Sequence, residues 1–178
     1  MNDADLLKIY RDGNKNYAFN LIVEKYKTQL YWQIRRMVIS HDDADDVLQN
    51  SLIKVWESLD TFREESKLFT WLYRIVTNES LTFLKKKRNK YIIPLVNVER
   101  QLVNNLRTDE YFTGDEIERK LQKAILQLPE KQRIVFNMRY YDEISYEEMS
   151  EILNTSEGAL KASFHHALKK IEKYLSGD

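Results

Sequence analysis

LDTFREESKLFTWLYRIVTNESLTFLKKKRNK, residues 59–90, packs aromatic, basic and amide side chains into one loop and one long helix. Numbered from Leu68 at about 100° per residue, the helix carries Leu68, Leu72, Ile75, Val76 and Phe83 on one face, a core stripe. Along its edge the same arithmetic aligns Trp71, Arg74, Asn78 and Lys85, a polar strip that ends in Lys85, Lys86, Lys87 and Arg88. Such a strip suits a phosphate backbone. The basic end also suits the negative end of a helix dipole. Before the helix lies a charged, proline-free turn, Asp60 to Lys67, holding Phe62, an aromatic able to stack on an unpaired base. Trp71 reads as a packed residue at the core edge rather than a stacking platform. Glu79 projects onto the apolar stripe, and nothing in the sequence accounts for it.

Working outward, the 178 residues suffice for one ordinary domain or two small ones, and 43% hydrophobic residues supply a core. Two prolines and four glycines leave long helical windows, so the fold class expected is all-α. There is no cysteine, which excludes a disulfide framework and a cysteine-based zinc site. The N-terminus lacks an apolar signal segment and no window has the length of a membrane span, so a cytoplasmic protein without membrane insertion is expected. The formal net charge is zero, unlike a simple basic nucleic-acid binder. Residues 1–88 hold 15 Lys/Arg against 13 Asp/Glu, and residues 114–178 hold 10 against 12. Any DNA affinity must come from local patches, and binding without a partner should be weak.

After a short helix near Asp3 to Tyr10, Phe19, Ile22, Val23, Tyr26, Leu30, Ile34, Met37 and Val38 recur at helical spacing. Asp42, Asp43, Asp45 and Asp46 then crowd the start of a helix that runs to about Leu59, where carboxylates favour the positive dipole end. They lack the alternating ladder, glycine and distal glutamate of a calcium loop, so they read as helix-start or contact residues, not a metal site. His41 beside them reads as a cap or surface residue. Val47, Leu48, Leu52, Val55, Trp56 and Leu59 are expected inward, leaving Asp46, Gln49, Asn50, Ile53 and Lys54 on other faces. An exposed Ile53 amid polar groups marks a partner surface. From Tyr91 to Thr113 the periodicity fades, a stretch too long for a connection inside a compact bundle. It reads as a flexible linker between two small helical domains, residues 1–90 and 114–178.

Periodicity resumes with Ile117, Leu121, Ala124, Ile125 and Leu128 on one face. Pro129 is expected at the first position of the next helix, whose stripe is Ile134, Val135, Met138 and Tyr141. Ser145 with Glu148 fits a capping box, opening a short helix that buries Tyr146, Met149, Ile152 and Leu153. A turn at Asn154, Thr155 and Ser156 leads to a last helix with Leu160, Phe164, Ala167, Leu168, Ile171 and Leu175 inward. This is the pattern of a helix-turn-helix, whose second helix enters the major groove by its N-terminal residues. Thr155, Ser156, Gly158, Lys161, Ala162, His165, His166 and Lys169 project outward. An ordinary bundle hairpin has the same pattern.

Two runs carry a resemblance: DDADDVLQNSLIKVWESLDTFREESKLFTWLYRIVTN, Asp42 to Asn78, and LQLPEKQRIVFNMRYYDEISYEEMSEILNTSEGALKASFHHALKKI, Leu126 to Ile171. In this order and at this spacing the chain resembles the extracytoplasmic-function (group 4) sigma factors, small promoter-recognition subunits of bacterial RNA polymerase. The first run looks like region 2 and the second like region 4. The resemblance implies that Asp46, Gln49, Asn50, Ile53 and Lys54 dock on the clamp helices of core polymerase. It implies that the Asp60 to Lys67 loop, with Phe62 and Lys67, captures a flipped base of the minus-10 element while Arg74, Asn78 and Lys85 lie beside that strand. Thr155, Ser156, Gly158, Lys161, His165 and His166 would face the double-stranded minus-35 element. Where the family commonly has an arginine in the recognition helix this chain has Ser163, and His166 replaces another common basic residue, which implies weaker or altered base readout. The resemblance also implies an anti-sigma partner. No cofactor is implied.

The residues themselves show no nucleophile with a base and orienter and no phosphate-cradling glycine loop, so a binding protein is expected rather than an enzyme. Two alternatives remain at this point. A helix-turn-helix regulator acting without polymerase would shift promoter DNA alone, and a helical adaptor would crosslink to no DNA at all.

Overall fold

The computed structural model describes residues 1–90 and 116–177. The expected linker, residues 91–113, lies outside them. Four helices form the N-terminal half: α1 (Asp3–Arg11), α2 (Lys15–Val38), α3 (His41–Ser58) and α4 (Leu68–Lys90), with a 3-10 turn at Leu59–Thr61 after α3. Asn2 and Asp5 close a capping box at the start of α1. Between α2 and α3 the buried Ile39 takes φ 65°, a left-handed conformation that a β-branched residue adopts only when packing enforces it. Ser40 then caps α3 by accepting the Asp43 N–H at 3.4 Å. This sharp corner folds α3 back along α2, and α4 packs against both.

The C-terminal half has α5 (Glu116–Leu126), α6 (Glu130–Tyr140), α7 (Tyr146–Leu153) and α8 (Glu157–Ser176). The Ser145–Glu148 capping box forms as expected. Asn154, in left-handed conformation (φ 49°), ends α7, and Ser156 caps α8 by accepting the Ala159 N–H at 3.3 Å, so the helix-turn-helix is built by two local caps. Ala124, Ile125, Leu128, Phe136, Ala167 and Ile171 form a core among α5, α6 and α8.

The halves are not separate in this structure. α7 lies on α4 and α6 touches α2, and Ile134, Met138, Met149, Ile152 and Leu160 share one continuous core with Tyr73, Val76 and the rest of the N-terminal bundle.

Several single-residue expectations need correction. Trp56 is 38% exposed, covered on one side only, where its ring meets Phe19 of α2 edge-on at 5.1 Å. Ile117 and Leu175 lie at helix ends, beyond the reach of the neighbouring helix, and are exposed. Pro129 stands one residue before α6 as its N-cap, in extended conformation (ψ 144°). On α4, Ile75 and Phe83 are only half-buried, whereas Tyr73, Thr77 and Ser80 are buried, because α4 packs on two sides. Thr77 and Ser80 satisfy their hydroxyls by donating to the Tyr73 and Val76 carbonyls at 2.8 and 2.7 Å.

Candidate nucleic-acid interface

α3 presents Asp46, Gln49, Asn50, Ile53 and Lys54 to solvent, as expected, with Ile53 55% exposed. Trp56 joins this face, one helical step of three from Ile53, a spacing that is legible in the sequence. Lys54 is engaged: its ammonium pairs with Glu79 of α4. That pair supplies the missing account of Glu79, whose side chain is only 15% exposed. A half-buried carboxylate on an apolar stripe is tolerated when a cation reaches it from the next helix. The aspartates at the head of α3 also have local work. Asp43 accepts from Lys87 at 2.6 Å, tying the basic end of α4 to α3, and His41 Nε2 lies 3.4 Å from Asp45.

The turn from Asp60 to Lys67 is pinned at its base. Thr61 Oγ1 donates to the Ser58 carbonyl at 2.7 Å, and Lys15 donates to Asp60 at 2.6 Å, holding that carboxyl below its ordinary pKa. Phe62 is half-buried against Trp71, ring centroids 5.0 Å apart, so Trp71 is a packed partner of Phe62. The two rings and Arg74 line a groove of about 520 Å³ together with Thr61, Arg63, Glu65, Ser66 and Glu151. A second groove of about 560 Å³ continues it, lined by Arg74, Asn78 and Leu81 on α4 and by Ser150 to Asn154 opposite. Phe62, Arg74 and Asn78 are thus brought together. Lys85 is exposed two turns beyond Asn78, about 10 Å along the helix.

One wall of both grooves is α7. Lys67 donates to Glu148 at 2.9 Å, which raises the lysine above its ordinary pKa, with Glu147 and Glu151 adding to the field. The same bond holds Glu148 below the usual carboxylate value. Deeper in, Asp142 accepts from both Arg36 of α2 and Tyr73 of α4. The Arg36 guanidinium also lies over the Tyr141 ring, 5.0 Å from its centroid. Burial, reinforced by Asp142, pushes the Tyr73 phenol well above its ordinary value. Burial likewise pushes Tyr141 up to about 12. Sequence periodicity carries no signal for Arg36, Tyr73 or Asp142 as a cluster, since 106 residues separate Arg36 from Asp142.

On the helix-turn-helix, Thr155, Ser156, Gly158, Lys161, His165 and His166 are all exposed. A Cβ on Gly158 would meet nothing within 4 Å, so the glycine answers to no internal packing. Lys161 lies 3.6 Å from Glu157 and over the Tyr146 ring at 5.6 Å. The histidine rings are 6.1 Å apart and diverge, as neighbours on a helix do. Ser163 is half-buried at the core edge.

Residues 22–90 match the family model for Sigma-70 region 2, and residues 118–171 match that for Sigma-70, region 4. The chain is 30% identical to the ECF RNA polymerase sigma factor SigW of Bacillus subtilis, over 95% of this chain and 94% of that protein. It is 30% identical to the ECF RNA polymerase sigma-E factor of Haemophilus influenzae, over 97% and 94%. Its fold is similar to that of the sigma factor RpoE solved with the anti-sigma factor NepR from Bartonella quintana (TM-score 0.69, 22% identity, 90% of this chain and 98% of that one). It is also similar to CnrH solved with the cytosolic domain of CnrY (TM-score 0.70, 22% identity, 99% and 98%). With regions 2 and 4 matched in order, and a relative at this identity aligned along nearly the whole of both chains, the protein belongs to the ECF RNA polymerase sigma-factor family.

Proposed function

We propose that this chain binds bacterial core RNA polymerase, directs it to promoters through their minus-10 and minus-35 elements, and helps to open the duplex. The supporting observation is the order of exposed surfaces along the chain. An apolar anchor at Ile53 is followed by the Phe62–Trp71–Arg74 groove, and a helix-turn-helix with an open first turn comes last. Ile53 and Trp56 form the apolar centre of the polymerase contact, with Asp46, Gln49, Asn50 and Lys54 as its polar rim. Residues 1–90 form the unit that docks and reads minus-10, and residues 114–178 the unit that reads minus-35.

Opening needs no nucleotide hydrolysis by this chain. Extruding a base costs a few kcal/mol, and stacking returns roughly 1–3 kcal/mol per base. Phe62 is the stacking surface, while Lys67, Arg74, Asn78 and Lys85 follow the strand. On the minus-35 duplex, where Ser163 stands in place of the usual arginine, Lys161, His165 and His166 face the groove, and Thr155, Ser156 and Gly158 bring the backbone close to phosphate. The chain works by binding, not catalysis, and acts where polymerase and promoter are, in the cytoplasm. No helix among the described residues is long and apolar enough to cross a membrane. Since the two similar structures hold their sigma factors with partner chains, an anti-sigma protein is the expected restraint here too.

The test is transcription from a cognate promoter by core polymerase with and without this chain. A gain in promoter-specific initiation supports the function. No gain, together with no binding to core, refutes it.

A further inference from the structure

The turn that carries Phe62 is tethered from behind at the junction of α1 and α2. Lys15, the first residue of α2, donates to Asp60 at 2.6 Å, and Arg11, the last residue of α1, pairs with Glu64. Asp60 and Glu64 stand two residues before and two residues after Phe62, so the ion pairs flank the ring on both sides. Glu64 takes φ 58°, the left-handed region, which a residue with a side chain occupies at a cost and only where its surroundings hold it there. Phe62 is also a wall between two openings. In front it lines the groove with Trp71 and Arg74, and behind it lines a cavity of about 300 Å³ against Leu7 and Tyr10 of α1. With a cavity rather than close packing on that side, the distance of the ring from α1 is set by the tethers. The helix is a firm base for them: Asp3 accepts from Lys25 and from the Tyr26 hydroxyl, each at 2.6 Å, and Leu6, Leu7 and Tyr10 are buried.

We propose that Arg11 and Lys15 are positioning residues for base capture: acting through Glu64 and Asp60, they brace the turn so that Phe62 faces the groove. This rests on the reading that Phe62 stacks on an unpaired minus-10 base. Both ion pairs are solvated and so contribute little to overall stability. Their effect is local. They act on one short turn, where closing the first tether removes most of the chain entropy that the second would otherwise cost.

Freed from Arg11, Glu64 leaves the left-handed region for the broader ones, and each molecule in which it does so carries Phe62 out of place. The affinity for the unpaired base falls with the fraction of molecules that keep the braced turn. The rival reading makes Arg11 and Lys15 plain phosphate contacts. Reversing the charge of Arg11 would then weaken DNA binding whatever residue stands at position 64, and whether or not a base is there to be captured.

The experiment assembles the full chain with core polymerase and measures, by fluorescence anisotropy at one salt concentration, its affinity for a forked promoter DNA whose minus-10 element is single-stranded. Each minus-10 base is replaced in turn by an abasic site, and the replacement that weakens wild type most marks the captured base. Arg11→Glu should weaken binding to the intact fork about fivefold or more, the population equivalent of one residue's preference against the left-handed region. On the fork that lacks the captured base, Arg11→Glu and wild type should bind alike. The swap Arg11→Glu/Glu64→Arg should restore binding to the intact fork. In a Glu64→Gly chain, where glycine takes positive φ freely, adding Arg11→Glu should change nothing further. Affinity for core polymerase, titrated separately, should not move. Equal losses on the intact and abasic forks, a swap that stays weak, or a loss of core affinity that matches the loss on DNA each overturn the brace. If no abasic site weakens wild type, base capture by Phe62 itself fails and the brace with it. If one does, yet Arg11→Glu binds the intact fork like wild type, only the brace fails.

Discussion

Replacing Tyr73 by phenylalanine removes one oxygen from the centre of the molecule and little else. Tyr73 is 1% exposed, and its hydroxyl donates to Asp142, so the variant loses a buried hydrogen bond to an ionised acceptor. Bonds of that type contribute roughly 1.5–3 kcal/mol. Asp142 keeps its second partner, Arg36, so no charge is orphaned. Asp142→Ala is different: it strands the Arg36 guanidinium in a nearly dry site, a change that costs about 3–5 kcal/mol. The expected order of stability is therefore wild type, then Tyr73→Phe, then Asp142→Ala. For a chain of this size about 2 kcal/mol corresponds to a fall of roughly 4–8 °C in melting temperature. Urea unfolding followed by circular dichroism measures the difference. The pH dependence has a definite sign. Because burial and Asp142 raise the Tyr73 pKa, the stabilisation is fully present below the ordinary tyrosine value near 10 and is lost as pH rises through the folded value. Wild type should lose its advantage over Tyr73→Phe in strong alkali. A Tyr73→Phe variant as stable as wild type, or less stable than Asp142→Ala, would refute the reasoning.

Three further outcomes are expected. Ile53→Asp should weaken binding to core polymerase about thirtyfold or more, the effect of losing a contact worth roughly 2 kcal/mol, while leaving the helical content unchanged; a fluorescence titration against core reads it. Asn78→Ala and Lys85→Ala should reduce permanganate reactivity of the melted minus-10 bases more than they reduce affinity for core, and equal losses would count against the strand path. Lys161→Glu should lower initiation at promoters with a minus-35 element by about fivefold or more, on the scale of one lost DNA contact, and spare core binding; normal transcription from such promoters would mean that the outward face of α8 is misassigned.

Periodicity and caps are local, and the features that depend on them are legible in the order of residues alone. The stripe of Leu68, Leu72 and Val76, the Ser145–Glu148 box, and the Asn154 to Ser156 turn all depend on residues within a few positions of one another. The exposed Ile53 face follows from the same arithmetic. Expectation and structure part where a second neighbour decides burial. Trp56, expected inward, meets Phe19 of α2 with only the edge of its ring and stays 38% exposed. Tyr73, outside the expected stripe, is buried because α4 is packed on two sides.

By itself the sequence determined eight helical segments, the helix-turn-helix and the family, because each is carried by short-range pattern and by runs of specific residues. Only the tertiary structure decided that α7 lies beside Lys67, Arg74 and Asn78, that Lys54 neutralises Glu79, and that Asp142 joins Arg36 and Tyr73. These contacts join residues 25 to 106 positions apart. Their partners are selected by shape and by the need to pair buried charge, and neither leaves a periodic trace in the chain.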